Sequence, residues 1–195
     1  MTQDVNIILD QEWSFQSSVY SPTGNNDLST GTPTTVDLTL DEGGTGLADT
    51  AAANSDQVDL GSLLPLEIMV LAAIEWFAAV TAGNSVDFYW SGSANSGVGV
   101  GNPGGVDGVD GLYTGTGDGG TDEEAVKNMI FIGSMITETH TAGHVQIAHI
   151  GNFRPTVRYG QLIVVNNSGT TLCGTDDIES SVLFHGTMGQ VAAEV

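Results

Sequence analysis

Apolar side chains recur at every second position in several short stretches of this chain, the period of a half-buried β-strand. In 36–40, Val36, Leu38 and Leu40 point one way while Asp37 and Thr39 point the other. Over 66–80 the even positions Leu66, Ile68, Val70, Ala72, Ile74, Trp76, Ala78 and Val80 are all apolar, and Glu67 and Glu75 fall together on the odd face. A helix would place those glutamates about 80° apart and could also group them. Period two accounts for the whole run, so a strand is expected. Gly83 and Asn84 then turn the chain, and Val86, Phe88 and Trp90 alternate with Asp87 and Tyr89. The two runs are predicted to form a central hairpin.

Further strands are expected over 6–9, 128–136, 144–150, 159–165 and 180–185, the last with Val182 and Phe184 inward and Ser181 and Leu183 outward. The clearest strand-turn-strand signal is FRPTVRYGQLIVVNNSGTTL, residues 153–172. Pro155 blocks a helix, Ile163, Val164 and Val165 are β-branched, and Asn166, Asn167, Ser168 and Gly169 tolerate positive φ in a tight turn. A hairpin is expected there too. About seven to nine strands with wandering connections favour an all-β chain folded as a two-sheet β-sandwich or jelly roll over an up-and-down barrel. A chain of 195 residues accommodates this as one domain spanning 1–195.

Between the strands the chain is rich in Gly, Thr, Ser, Asn and Asp. Residues 91–124 hold too few large apolar side chains for a core and read as a long Gly-rich loop, functional or poorly ordered. Residues 1–60 read as an extended N-terminal arm around a few short strands. The opening MTQDVNIILD lacks a basic stretch ahead of an apolar one and is not expected to be a secretory signal. The apolar run 66–80 is shorter than the roughly 20 residues of a membrane span.

Charge narrows the partners. The formal net charge is −21, although charged residues make up only 14% of the chain. Lys127, Arg154 and Arg158 are its only Lys and Arg residues, and 19 of its 24 acids precede Lys127. Nucleic acid is not an expected partner, because counterion release needs clustered cations. Anionic membrane surfaces are disfavoured for the same reason. Cys173 is alone, so no intrachain disulfide can form, and synthesis in the cytoplasm is expected.

The chemistry-bearing residues form no convincing catalytic set. Asp107, Asp110, Asp118 and Asp122 in the Gly-rich loop are hard oxygen ligands that calcium would accept. Their spacing matches no EF-hand, and Asp-Gly pairs are ordinary turn dipeptides, so a solvated loop is preferred and no metal or cofactor is expected. His144 and His149 are an odd number of residues apart and fall on opposite strand faces, which separates them as zinc ligands. Glu67 and Glu75 would lie about 26 Å apart along a strand, against about 5–9.5 Å for a glycosidase pair. There is no GxSxG elbow, and the acids beside Cys173 would raise a thiol pKa. Trp76 belongs to the core face, whereas Trp13 and Tyr113 lie in contexts that predict exposure. Arg154 and Arg158 will find carboxylates, either in a local clamp or across a subunit contact, with Tyr159 beside them.

The order VDFYWSGS, a Gly-rich excursion, FIGSM, FRPTVRYGQLIVVNNSGTTL and SVLFHGTMG resembles virion structural proteins of tailed bacteriophages. It is most similar to the capsid cement, or decoration, proteins of jelly-roll type, over about residues 60–186. That resemblance implies a non-enzymatic protein on the capsid exterior, acting as a homotrimer that holds neighbouring major capsid protein subunits together. Arg154, Arg158 and Tyr159 are then the candidates for subunit or capsid contact. Two alternatives stay open: a carbohydrate-binding or glycan-degrading β-sandwich module, as in a virion fibre or lectin, and, within the same resemblance, a phage tail or head–tail component.

Overall fold

The computed structural model of the protein describes residues 5–41, 44–97, 106–114, 126–173 and 178–191. Its strands are β1 (Val5–Gln16), β2 (Thr34–Asp37), β3 (Ala52–Asn54), β4 (Val58–Asp59), β5 (Glu67–Trp76), β6 (Ser85–Ser93), β7 (Gly111–Leu112), β8 (Ile130–Ile136), β9 (His144–Phe153), β10 (Tyr159–Asn167) and β11 (Ser181–Val191). A five-stranded sheet runs β2-β1-β11-β5-β9, and a six-stranded sheet runs β7-β3-β10-β6-β8 with β4 also on β10. Without the short marginal strands β2, β4 and β7, the orders β1-β11-β5-β9 and β3-β10-β6-β8 are those of a jelly roll built from two Greek keys. The protein is an all-β sandwich, and β1 with β2 is the parallel pair among antiparallel ones.

The period-two reading holds over β5, the middle of the run 66–80, whereas Leu66, expected on the apolar face, is 49% exposed and the strand ends at Trp76. Ile68, Val70, Ala72, Ile74 and Trp76 are fully buried, while Glu67 is exposed. The partners of β5 differ from the one that the turn residues Gly83 and Asn84 predict. β5 and β6 do not form a hairpin: residues 77–84 carry the chain from one sheet to the other, and β5 pairs instead with β11 and β9. The expected hairpin in 153–172 is corrected in the same way. The turn at Asn166–Gly169 forms, with Gly169 at φ +78°. Beyond it, Leu172 bridges Leu47 and the end of β5 at Trp76, in the opposite layer. Local turn residues reverse a chain without deciding which layer receives it.

Nor do residues 11–60 form an arm. Trp13, Phe15, Leu38, Leu40, Leu47 and Leu60 are buried at 0–1% exposure, and β1 is an interior strand of its sheet. The 91–124 loop is also partly structural: β6 extends through Ser93, β7 pairs with β3, and Val106 and Tyr113 pack beside Ile163 and Val165. The remainder of that loop lies outside the described residues. Leu183 and Ser181, expected outward, are both 2% exposed. Residues 17–33 fold back over that side, where Ser181 donates to the Tyr20 hydroxyl and the Ser21 N–H to the Ile178 carbonyl.

Aromatic rings join the two layers. Phe184 on β11 meets Phe15 at 4.6 Å, Phe153 at 5.4 Å and Trp90 on β6 at 5.6 Å between ring centroids. Such pairs add about 0.5–1.5 kcal/mol each beyond the area they bury. Glycines admit the closest approaches. A Cβ on Gly160 would stand 2.3 Å from the Trp90 ring, so the indole occupies space that any other residue would fill. At the adjoining borders of the sheets, β8 is bulged at Ile132 and β9 at Ile150. The next residues, Gly133 and Gly151, let the two backbones touch: a Cβ on Gly133 would be 2.1 Å from the Ile150 carbonyl oxygen, and one on Gly151 2.5 Å from that of Ile132.

Candidate functional site

The outer face of the six-stranded sheet carries a groove of about 740 Å³, built by the register of three neighbouring strands. On β6, the inward positions Val86, Phe88 and Trp90 leave Asp87 and Tyr89 facing out. Asp87 stands between Ser134 of β8 and Val165 of β10, and Tyr89 lies beside Phe131 of β8. Phe131 and Ser134 are three residues apart and would face opposite ways in a regular strand. The bulge at Ile132 turns both outward.

The floor of the groove is aromatic, with Tyr89 and Phe131 rings 5.2 Å apart and tilted by 53°. Met129 and Val165 extend the apolar wall. Asp87 is fixed at its polar side. Ser134 donates to Oδ1 at 2.5 Å and the Asn167 amide to Oδ2 at 2.9 Å. Burial, and then the charge of Asp87, push the Tyr89 phenol above its ordinary pKa, so at neutral pH it keeps its proton as a donor. Lys127 lines the same groove.

The arginines divide between the two roles expected for them. Arg158 is a local clamp: its Nε and Nη2 donate to the two Asp59 oxygens at 2.7 and 2.6 Å, and its guanidinium lies 5.1 Å from the Tyr159 ring centroid. That hydrogen bond holds Asp59 below the usual carboxylate range despite some burial. The clamp ties β4 to the start of β10. Arg154 follows the last residue of β9, is exposed, and makes no ion pair among the described residues.

The calcium candidates do not converge. Asp107 caps its own turn by accepting the Val109 N–H at 3.0 Å. Asp110 is half-buried and accepts the Thr39 N–H and hydroxyl at 2.7 and 2.6 Å. Burial raises its pKa against those two bonds, and the charges of Asp56 and Asp37 add to the rise. Asp118 and Asp122 lie outside the described residues. Among the described residues, no three His, Cys, Asp or Glu side chains form a metal-sized group.

The four histidines divide among three places. His140 and His144 stack at 3.9 Å, His149 faces Asn152, and His185 Nδ1 lies 3.1 Å from Glu12 Oε1. The Thr30 hydroxyl donates to the same Glu12 oxygen at 2.6 Å. Acid, histidine and hydroxyl are together, but the hydroxyl is bonded to the acid and not to the imidazole, which is not the relay of a nucleophilic triad. Trp13 and Tyr113, expected exposed, are 0% and 4% exposed. Trp13 lies between Glu12 and Ser14, whose polarity signals solvent although both are buried, and Tyr113 packs against Ile163 and Val165 while its neighbour Leu112 is the exposed one.

Phe131, Ser134 and Asn167 were not anticipated as site residues. The outward pair Asp87 and Tyr89 was legible in the alternation of β6, whereas its neighbours depend on long-range register. Among known proteins, no family model, no curated sequence and no solved structure matches this chain.

Proposed function

We propose that the protein is a virion structural protein of the capsid cement, or decoration, class. In this reading it is made in the host cytoplasm, assembles as a homotrimer, and binds the capsid exterior where it holds neighbouring major capsid protein subunits together. The observation that carries the proposal is Arg154. In a chain of net charge −21, copies and acidic partners repel unless specific contacts overcome the field. Arg158 is already engaged by Asp59, which leaves Arg154 as a guanidinium suited to a bidentate carboxylate on a neighbour. It is exposed at the end of β9, a border strand of its sheet, where a neighbouring copy or a shell subunit can reach it.

The test is co-sedimentation with shells assembled from the major capsid protein of the same phage, together with light scattering of the free protein. Wild type is expected to scatter as a trimer and to pellet with shells, and Arg154→Ala to remain in the supernatant. A wild-type monomer at micromolar concentration that leaves shells unbound overturns the reading.

A further inference from the structure

The groove on the outer face of the six-stranded sheet is separate from Arg154, which follows a strand of the other sheet and does not line it. We propose that it is a binding site for a neutral glycan, with a sugar ring stacked on Phe131 and Tyr89 and its hydroxyls held by Asp87 and Asn167.

Two features select that chemistry. Phe131 is 55% exposed and paired with Tyr89, giving an apolar platform that matches the C–H face of a pyranose. Beside it, Asp87 is an acceptor with about four lone-pair directions, of which Ser134 and Asn167 occupy two. Whatever covers this carboxylate must bring hydrogen-bond donors, because burying a charge without partners is costly. A polyol supplies donors next to an apolar face, whereas a purely apolar ligand supplies none.

Charge decides the rest. The field of a −21 chain repels phosphorylated and other acidic ligands. Within the groove, Lys127 is matched by Asp87, so an uncharged ligand meets no net opposing charge. Trp13 and Tyr113, the aromatic residues whose contexts predict exposure, are buried and offer no sugar platform. Tyr89 and Phe131 take over that role, on a different surface.

The experiment is isothermal titration of the full chain with a panel of neutral oligosaccharides built on glucose, galactose, mannose and N-acetylglucosamine, beside an acidic oligosaccharide and a hydrophobic dye. At least one neutral member is expected to bind. Phe131→Ala and Asn167→Ala should each weaken it by about tenfold, the size of one stacking or polar contact. Phe77→Ala, which removes an exposed phenylalanine elsewhere, should leave affinity unchanged. Melting curves check that each variant is folded, and with two variants one unfolded protein does not stall the test. Absence of neutral-glycan binding at millimolar concentration overturns the proposal, as does binding that both groove variants leave intact. Dye binding or self-association abolished by Phe131→Ala, without glycan binding, assigns the groove to a protein partner and equally overturns it. Shell binding is read in a separate assay, so failure here leaves that reading standing.

Discussion

Gly133→Ala adds one methyl group where the two sheets meet at their borders. Its Cβ would lie 2.1 Å from the Ile150 carbonyl oxygen and 3.0 Å from that carbonyl's carbon, whereas ordinary contact begins at 3.4 Å. The obstacle is backbone, so no side-chain rotation relieves it, and β8 and β9 must separate by about 1.3 Å. Overpacking a tight interior costs about 1–3 kcal/mol, and a clash with fixed backbone belongs at the upper end. At about 2–4 °C per kcal/mol for a chain of this size, the expected fall in Tm is about 6–12 °C. Differential scanning calorimetry measures it. Gly151→Ala should behave alike through the reciprocal contact with Ile132, and the double variant should lose less than the sum, because one separation relieves both clashes. Gly31→Ala is the control: its Cβ would make an ordinary 3.7 Å contact. A Gly133→Ala protein melting within about 2 °C of wild type would refute the close approach.

Four further outcomes are expected. Burial raises the Glu12 pKa, but hydrogen bonds from Thr30 and His185 outweigh it and leave the group below its ordinary 4.5. Its contribution to stability is therefore present above the unfolded value and lost as pH falls through the lower folded value. The Tm gap between wild type and Glu12→Gln should close on acidification below about pH 4.5; a gap that widens there contradicts the assignment. Arg158→Ala should lower Tm slightly, since both partners of its clamp are 45% exposed, while Arg154→Ala should melt like wild type and fail only in shell binding. Asn166, fully buried, donates to the Leu47 and Thr170 carbonyls and accepts from the Ser168 N–H. Asn166→Ala should cost about 2–4 kcal/mol in urea unfolding from the stranded polar groups, and Asn166→Asp more, because a carboxylate faces both carbonyls without a donor.

Strand content was largely readable because burial imposes period two wherever one face meets a core. β5 and β6 show how much that supplies: Ile68 through Trp76 and Val86 through Trp90 all face the core as the alternation predicts. Their pairing was not readable. Gly83 and Asn84 suit a hairpin and a sheet-to-sheet crossover equally, and the choice is made by β11 and β9, which compete for the edges of β5 from far along the chain. β1 was misread for a related reason. Its outer face carries Glu12 and Ser14, polar residues that signal solvent, yet these are 9% and 5% exposed. Glu12 meets Thr30 and His185 there, and the Ser14 hydroxyl donates to Gln16. Polar residues satisfied by a covering segment have the same sequence signature as polar residues satisfied by water.

The groove depends on the same physics as the closure of the sandwich. Asp87 and Tyr89 would face outward on any regular β6, but alone they are one acid and one phenol on a sheet surface. Phe131 and Ser134 join them because Ile132 is an extra residue, and that extra residue sits where it does because Gly133 lets β8 touch β9 at Ile150. The Ile-Gly step recurs at Ile150 and Gly151, where β9 is bulged in turn. Each glycine thus admits the bulge of the other strand, and the pair forms a reciprocal lock. A strand read in isolation places Phe131 and Ser134 on opposite faces; the lock places them on one. Forcing β8 and β9 apart with Gly151→Ala, a change on the other sheet, should therefore disturb the spacing of Phe131 and Ser134 against Tyr89 and Asp87. Glycan affinity should fall in that variant under conditions where it remains folded, and unchanged affinity would show that the bulge keeps its form without the lock.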